Sequence, residues 1–305
     1  MTPITLKSLS KKKEGISSGH RACAGCGETI ATRQILLARE RPVIVSSATG
    51  CLEVTTTIFP YAAWKIPFIH SAFENAAATI SGAYSAYLAL KKKGKISEDI
   101  DFIAFGGDGG TYDIGLQALS GALERGDRML YVCINNQAYM NTGVQRSSAT
   151  PFGAHTTTGQ AGKKTIGKSQ ERKDLTAIVI AHNIPYVGQA IVGNWSDLVK
   201  KTQKALSSDG PSFINVLSPC PLGWGFPSNK TIEMGKLAAD TGFWPLYEVE
   251  NGKYHITYKP KEKKPIIEFI KPQARFKHLL EKMDVIDEIQ RRVDASYEQL
   301  LKIAL

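Results

Sequence analysis

Phe102-Ile103-Ala104-Phe105-Gly106-Gly107-Asp108-Gly109-Gly110 is the stretch on which the reading of the fold turns. An apolar run stops at glycines grouped around a single aspartate, as a buried strand does where backbone amides must approach a phosphate. Helical spacing follows over Ile114 to Leu123, and a second apolar run, Met129 to Ile134, ends in Asn135-Asn136. Strand, helix and strand of these lengths make a βαβ unit, so the two strands are expected to lie parallel.

The pattern repeats in both directions. Upstream, a helix is expected near Glu28 to Arg39, a strand at Val43-Ile44-Val45 and an Ala-rich helix over Asn75 to Leu90. Downstream, helices are expected near Leu175 to His182 and Ser196 to Leu206, with strands at Tyr186-Val187 and Ser212 to Leu217. The fold class is therefore α/β, a mostly parallel sheet with helices on both faces. Past residue 225 the pattern changes to a hairpin, Tyr247 to Tyr258, turned at Asn251-Gly252. A final helix follows, with Leu279, Met283, Ile286, Ile289, Val293, Tyr297 and Leu300 on one apolar face. The organisation read from this is an N-terminal arm (1–18) that wraps a partner or stays mobile, a main domain (19–225), and a partner-contacting C-terminal extension (226–305).

Composition narrows the class. Hydrophobic content of 43% and charged content of 22% suit a globular protein. No apolar run reaches the eighteen residues of a membrane span, and the basic N-terminus is not followed by an apolar signal core, so the cytoplasm is expected. The net charge of +10 is spread over Lys11–Lys13, Lys91–Lys93 and Lys259–Lys264. Scattered runs without interleaved aromatics read as solvated surface, or as attraction for acidic partners, and speak against nucleic acid.

Two constellations carry chemistry. Asp108 offers a hard carboxylate oxygen, and Asn136, 28 residues later, offers an amide oxygen from the end of the next strand. With the Ala138 carbonyl, these suit a magnesium ion, which takes few protein oxygens and completes its octahedron with phosphates and water. Gly107, Gly109 and Gly110 keep side chains out of the way of a diphosphate. The second constellation is cysteine. Cys23 and Cys26 form a C-x-x-C, Cys51 follows a strand, and Cys220 lies in Pro219-Cys220-Pro221. Cys133, inside an apolar strand, reads as core. Four ligands from three segments suit a four-cysteine zinc site or a [4Fe–4S] cluster. Spacing leaves both open, although a zinc ribbon normally shows two C-x-x-C pairs.

Gly19-His20-Arg21-Ala22-Cys23-Ala24-Gly25-Cys26-Gly27-Glu28, Thr49-Gly50-Cys51, Gly107-Asp108-Gly109-Gly110 and Asn136 to Gly143 resemble, in order, the β subunit of pyruvate:ferredoxin oxidoreductases. The likeness runs over about residues 15–225. It implies a thiamin-diphosphate-binding fold and a [4Fe–4S] cluster on Cys23, Cys26, Cys51 and Cys220. It also implies magnesium on Asp108, Asn136 and the Ala138 carbonyl, thiamin diphosphate lying along Glu28, Gly50 and Cys51, and Asn141 reaching toward the reactive carbon. The implied reaction is CoA-dependent oxidative decarboxylation of pyruvate to acetyl-CoA and CO2, with electrons passed to ferredoxin. The implied partners are alpha, gamma and delta type subunits, one of which supplies the domain and glutamate that grip the aminopyrimidine. Gln137 departs from the acidic residue of many relatives, with an expected effect on partner contacts. Competing readings are a sibling enzyme for branched-chain 2-oxoacids or oxalate, a CoA-independent thiamin decarboxylase and, outside enzymes, a zinc-stabilised scaffold.

Overall fold

The computed structural model describes residues 4–304. Eight strands form one sheet: β1 (Val43–Ala48), β2 (Phe68–Ser71), β3 (Asp101–Gly107), β4 (Leu130–Asn135), β5 (Tyr186–Ile191), β6 (Ser212–Leu217), β7 (Leu246–Glu250) and β8 (Lys253–Tyr258). Their order across the sheet is β2-β1-β3-β4-β6-β5-β7-β8. Pairings among the first six are parallel, and β5–β7 and β7–β8 are antiparallel. The fold class expected from sequence is the one observed.

Both faces of the sheet are covered, which is why its central strands are apolar throughout. One face packs Val45, Ile103, Val132 and Ile214 under the helices Gly27–Ala38 and Trp195–Ser207, whose Ile35, Leu36 and Leu198 join the same core. The other packs Phe102, Ala104, Tyr131 and Phe213 against Ala76–Lys92 and Leu116–Glu124, through Ile80, Leu119 and Leu123. Cys133 is fully buried in that second core, as expected.

Three regions differ from the sequence expectation. The segment Gly109–Ile114 is a π-helix, closed by the Gly115 amide on the Gly110 carbonyl, and the α-helix starts only at Leu116. This wide turn starts directly after Asp108 and sets the backbone of the glycine loop. The N-terminal segment, expected to wrap a partner or stay mobile, packs two apolar side chains on its own chain. Leu9 lies against Ala38 and Val199, and Ile16 joins the core and bridges to Trp64. Those two apolar side chains anchor an otherwise basic stretch. Residues 1–3 of that arm lie outside the described residues. Finally, the hairpin after residue 225 is continuous with the main sheet as its outer two strands, turned at Asn251 and Gly252, both at positive φ. Leu279 falls in a 3-10 turn before the last helix, Met283–Ile303, which carries the other apolar positions.

Candidate active site

Parallel strands all deliver their C-termini to one edge, and neighbouring strands deliver them to one place. β1 leads into Gly50-Cys51, β3 into Asp108, β4 into Asn136 and β6 into Pro219-Cys220, and these four strands are consecutive in the sheet. One cavity at this edge is lined by Glu28, Gly50, Cys51, Gly107 to Gly110, Asn136, Ala138 and Asn141. Residues singled out from separated segments thus share one wall-to-wall space.

Asp108 is entirely buried. Its Oδ1 accepts from the Asn136 amide at 3.2 Å and its Oδ2 accepts from the Ser147 hydroxyl. Burial raises its carboxyl to about 7, although those hydrogen bonds favour the charged form. Asn136 donates from Nδ2 to Glu28 Oε1 at 2.6 Å, and its Oδ1 accepts from the Ala138 amide at 3.3 Å. Glu28 is raised to about 7, again by burial, against the Asn136 hydrogen bond. The Ala138 carbonyl accepts no hydrogen bond among the described residues. A single carboxylate, a side-chain amide and a free carbonyl form an oxygen donor set that suits a hard cation. A Cβ at Gly107 would meet nothing within 4 Å, so that backbone faces open space in the cavity, where a phosphate can approach. Asn141 is exposed at the cavity's rim.

The C-x-x-C loop and the Cys220 segment come together by close approach of backbone. Gly25 sits at φ +72, and a Cβ there would lie 2.0 Å from the Ser228 carbonyl oxygen; a Cβ on Gly27 would lie 2.9 Å from that of Pro219. The C-x-x-C loop is therefore pressed against the segment carrying Cys220, and Thr231 Oγ1 donates to the Gly25 carbonyl at 2.5 Å. Burial pushes Cys26 up to about 12 and Cys220 up to about 11, with Glu28 adding to both. Cys51 is raised by burial first, then by Glu28 and by its neighbours Cys220, Cys26 and Cys23. Clustered thiols with raised pKa values favour one another's neutral form until a metal displaces the protons. Among the described residues no three His, Cys, Asp or Glu side chains stand close enough to hold a single ion. One zinc draws its sulfurs to about 2.3 Å of a point, and an iron–sulfur cube holds them farther apart.

Two residues at the site were not legible beforehand. Ser147 fixes one oxygen of Asp108 from 39 residues away in a loop without a motif. Arg275 lies buried beneath the Asn136 turn. Its guanidinium is 3.8 Å from the Trp224 ring centroid and donates to Gln137 Oε1 at 2.8 Å, while Trp224 Nε1 donates to the Asn136 carbonyl at 2.7 Å. Gln137, expected to bear on partner contacts, is therefore an interior residue. At φ 70 its side chain turns inward, and it is 0% exposed.

The sheet topology and this corner define a thiamin-diphosphate-binding domain, and residues 48–216 match the family model described as "Thiamine pyrophosphate enzyme, C-terminal TPP binding domain". Relatives include pyruvate synthase subunit PorB of Methanocaldococcus jannaschii, 53% identical over 93% of this chain and 95% of that protein. The subunit of the same name from Thermotoga maritima is 51% identical over 99% and 97%. The ketoisovalerate oxidoreductase subunit VorB of Pyrococcus abyssi is 45% identical over 96% and 94%. A solved 2-oxoglutarate:ferredoxin oxidoreductase from Magnetococcus marinus shares the fold, with TM-score 0.56 at 19% identity over 69% of each chain. The chain belongs to the PorB family, the β-type subunits of pyruvate synthases within the 2-oxoacid:ferredoxin oxidoreductases.

Proposed function

We propose that this chain is the cofactor-binding β subunit of a pyruvate:ferredoxin oxidoreductase that decarboxylates pyruvate oxidatively to acetyl-CoA and CO2. The observation that carries the reading is the single corner in which Asp108, Asn136 and the Ala138 carbonyl line one cavity with Glu28 and Cys51. Bound thiamin diphosphate supplies an electron sink for decarboxylation, and a [4Fe–4S] cluster supplies one-electron transfer toward ferredoxin. The protein's part is placement. Asp108, with one oxygen pinned by Ser147 and the other by the Asn136 amide, presents a fixed carboxylate to magnesium. Asn136 donates to Glu28 and so fixes a carboxyl that would lie along the bound cofactor. Asn141, at the rim, hydrogen-bonds the substrate oxygen or carboxylate, an electrostatic role.

The described residues hold one such α/β unit; in this reading a partner subunit supplies the grip on the aminopyrimidine, and activity requires the assembly of alpha, beta, gamma and delta type chains. In this reading residues 19–225 hold the cofactors, and the outer surface of residues 226–305 faces partners. Among the described residues no helix is long and apolar enough to cross a membrane, and we place the enzyme in the cytoplasm. A second reading, a branched-chain 2-oxoacid substrate, is favoured by the VorB relative, whose identity to this chain is close to the 46% of a Pyrococcus furiosus PorB. The test is anaerobic purification of the complex and viologen reduction, CoA-dependent with pyruvate and ketoisovalerate and CoA-independent with oxalate. Pyruvate is expected to give the highest kcat/KM. Preference for ketoisovalerate would transfer the assignment to the sibling class, and a colourless, zinc-loaded, inactive protein would refute both.

A further inference from the structure

Away from the thiamin corner, the last helix, Met283–Ile303, closes a second cavity of about 320 Å³ against the outer strands. Its walls are mixed, an apolar side facing a polar one that carries Glu171, Arg172, Asp174 and Gln299. Ile180, Val293 and Leu300 line it, with Tyr247 of β7 and Tyr254 of β8, whose ring centroids lie 6.2 Å apart. Two arginines border this space. Arg292 is neutralised by Glu171 and Glu288 and lies 4.3 Å over the Phe152 ring. Arg172 is not neutralised. Its guanidinium carbon sits 5.2 Å from the Phe243 ring centroid and 4.8 Å from that of Trp244, and among the described residues its Nη1 is sealed from solvent with no acceptor. The residues beside it in sequence are committed elsewhere. Glu171 pairs with Arg292, Lys173 with Asp113, and the Asp174 side chain caps the helix Leu175–Ile180 through the Ala177 amide.

A guanidinium held against two aromatic rings is positioned at little entropic cost, because planar stacking fixes it before any ligand arrives. Arg172 itself lines the cavity and is only partly buried, so an incoming carboxylate can pair with the accessible part of its guanidinium. We propose that this cavity binds a small organic carboxylate with an apolar body, its carboxylate on Arg172 and its body between the Tyr247–Tyr254 pair and Leu300. The volume lies in the range of small-molecule pockets, in which a charge placed beside apolar surface orients the ligand. This site is separate from the cofactor corner, so its test stands independently of the function proposed above.

The experiment is calorimetric titration of the assembled complex with octanoate and, separately, with 1-octanol, on the parent protein and on Arg172→Gln, Arg172→Lys and Leu300→Trp. The parent is expected to bind one octanoate per chain, about tenfold or more tighter than octanol, the ratio set by a charge-assisted hydrogen bond. Arg172→Gln should abolish that preference and leave octanol binding unchanged, Arg172→Lys should keep part of it, and Leu300→Trp should block both ligands by filling the cavity. If Arg172→Gln does not fold, the Lys and Trp variants carry the test. The proposal is overturned by absence of octanoate binding to the parent, by equal affinity for octanol, or by binding that survives Leu300→Trp.

Discussion

Asp108→Asn should stabilise the metal-free protein while removing its function, and the structure sets the size of both effects. In the folded chain the carboxyl titrates near 7 instead of 3.8, because burial disfavours its charge. That difference amounts to about 4 kcal/mol against the folded state once the group is ionised in both states. A raised carboxyl contributes its full relative stability below the unfolded value and loses it as pH rises through the folded one. The metal-free parent should therefore weaken steadily between about pH 4 and pH 8. Asparagine carries no charge to desolvate. It keeps an acceptor for the Asn136 amide and forces the Ser147 hydroxyl to rotate and accept, at a cost of about 1 kcal/mol. The net gain is about 3 kcal/mol at pH 8, or about 6 °C in melting temperature for a chain of this length, and under about 1 kcal/mol at pH 5. Magnesium-dependent binding of thiamin diphosphate should fall about a hundredfold or more, because the charged ligand is gone. The assay is thermal unfolding in chelator at both pH values, paired with a cofactor titration in magnesium. A variant that melts no higher than the parent at pH 8, or that binds the cofactor with parental affinity, would refute the reasoning.

Other substitutions test neighbouring parts of the structure. Gly109→Ala places a Cβ 2.4 Å from the Tyr139 ring, which is held by a 2.9 Å hydrogen bond to Asp113, so it should cost about 1–3 kcal/mol by overpacking and show in the urea midpoint. Cys220→Ala should lower iron content to the background of the apo protein, whereas Cys133→Ala should leave iron unchanged and cost about 1 kcal/mol of stability; iron and sulfide analysis separates the two. Gln137→Glu should stabilise the protein by about 2 kcal/mol, because the buried Arg275 gains a carboxylate in place of an amide; a fall in melting temperature would contradict that pairing. Lys201→Met should destabilise by about 3–5 kcal/mol, since it strands Asp197 beside a fully buried position, as chemical denaturation would read.

What the residues revealed in advance follows their range of action. β3, β4 and the hairpin at Asn251-Gly252 declare themselves through period and punctuation within about ten residues. The corner was legible because strand ends in a parallel sheet converge, so Asp108 and Asn136 needed only a helix between them. β2 was missed: Phe68-Ile69-His70-Ser71 is short, sits at the sheet's edge and exposes His70, so no alternation marks it. Ser147 and Arg275 were missed because their partners lie 39 and 138 residues away, and nothing local distinguishes a serine that serves a carboxylate from one in solvent. The packing of Leu9 and Ile16 on the body of the chain has no local signal, because two apolar residues among lysines are too few to form a period. Gln137 was placed on the wrong side of the surface because a positive φ at a non-glycine residue has no sequence signature.

Anomalous diffraction at the iron edge, from anaerobic crystals of the assembled complex grown with magnesium and thiamin diphosphate, addresses the corner most directly. The expected map has a single four-iron peak enclosed by the sulfurs of Cys23, Cys26, Cys51 and Cys220, with a diphosphate-bound cation between Asp108 and Asn136. Iron on any other set of cysteines, or a cation that touches neither Asp108 nor Asn136, contradicts it.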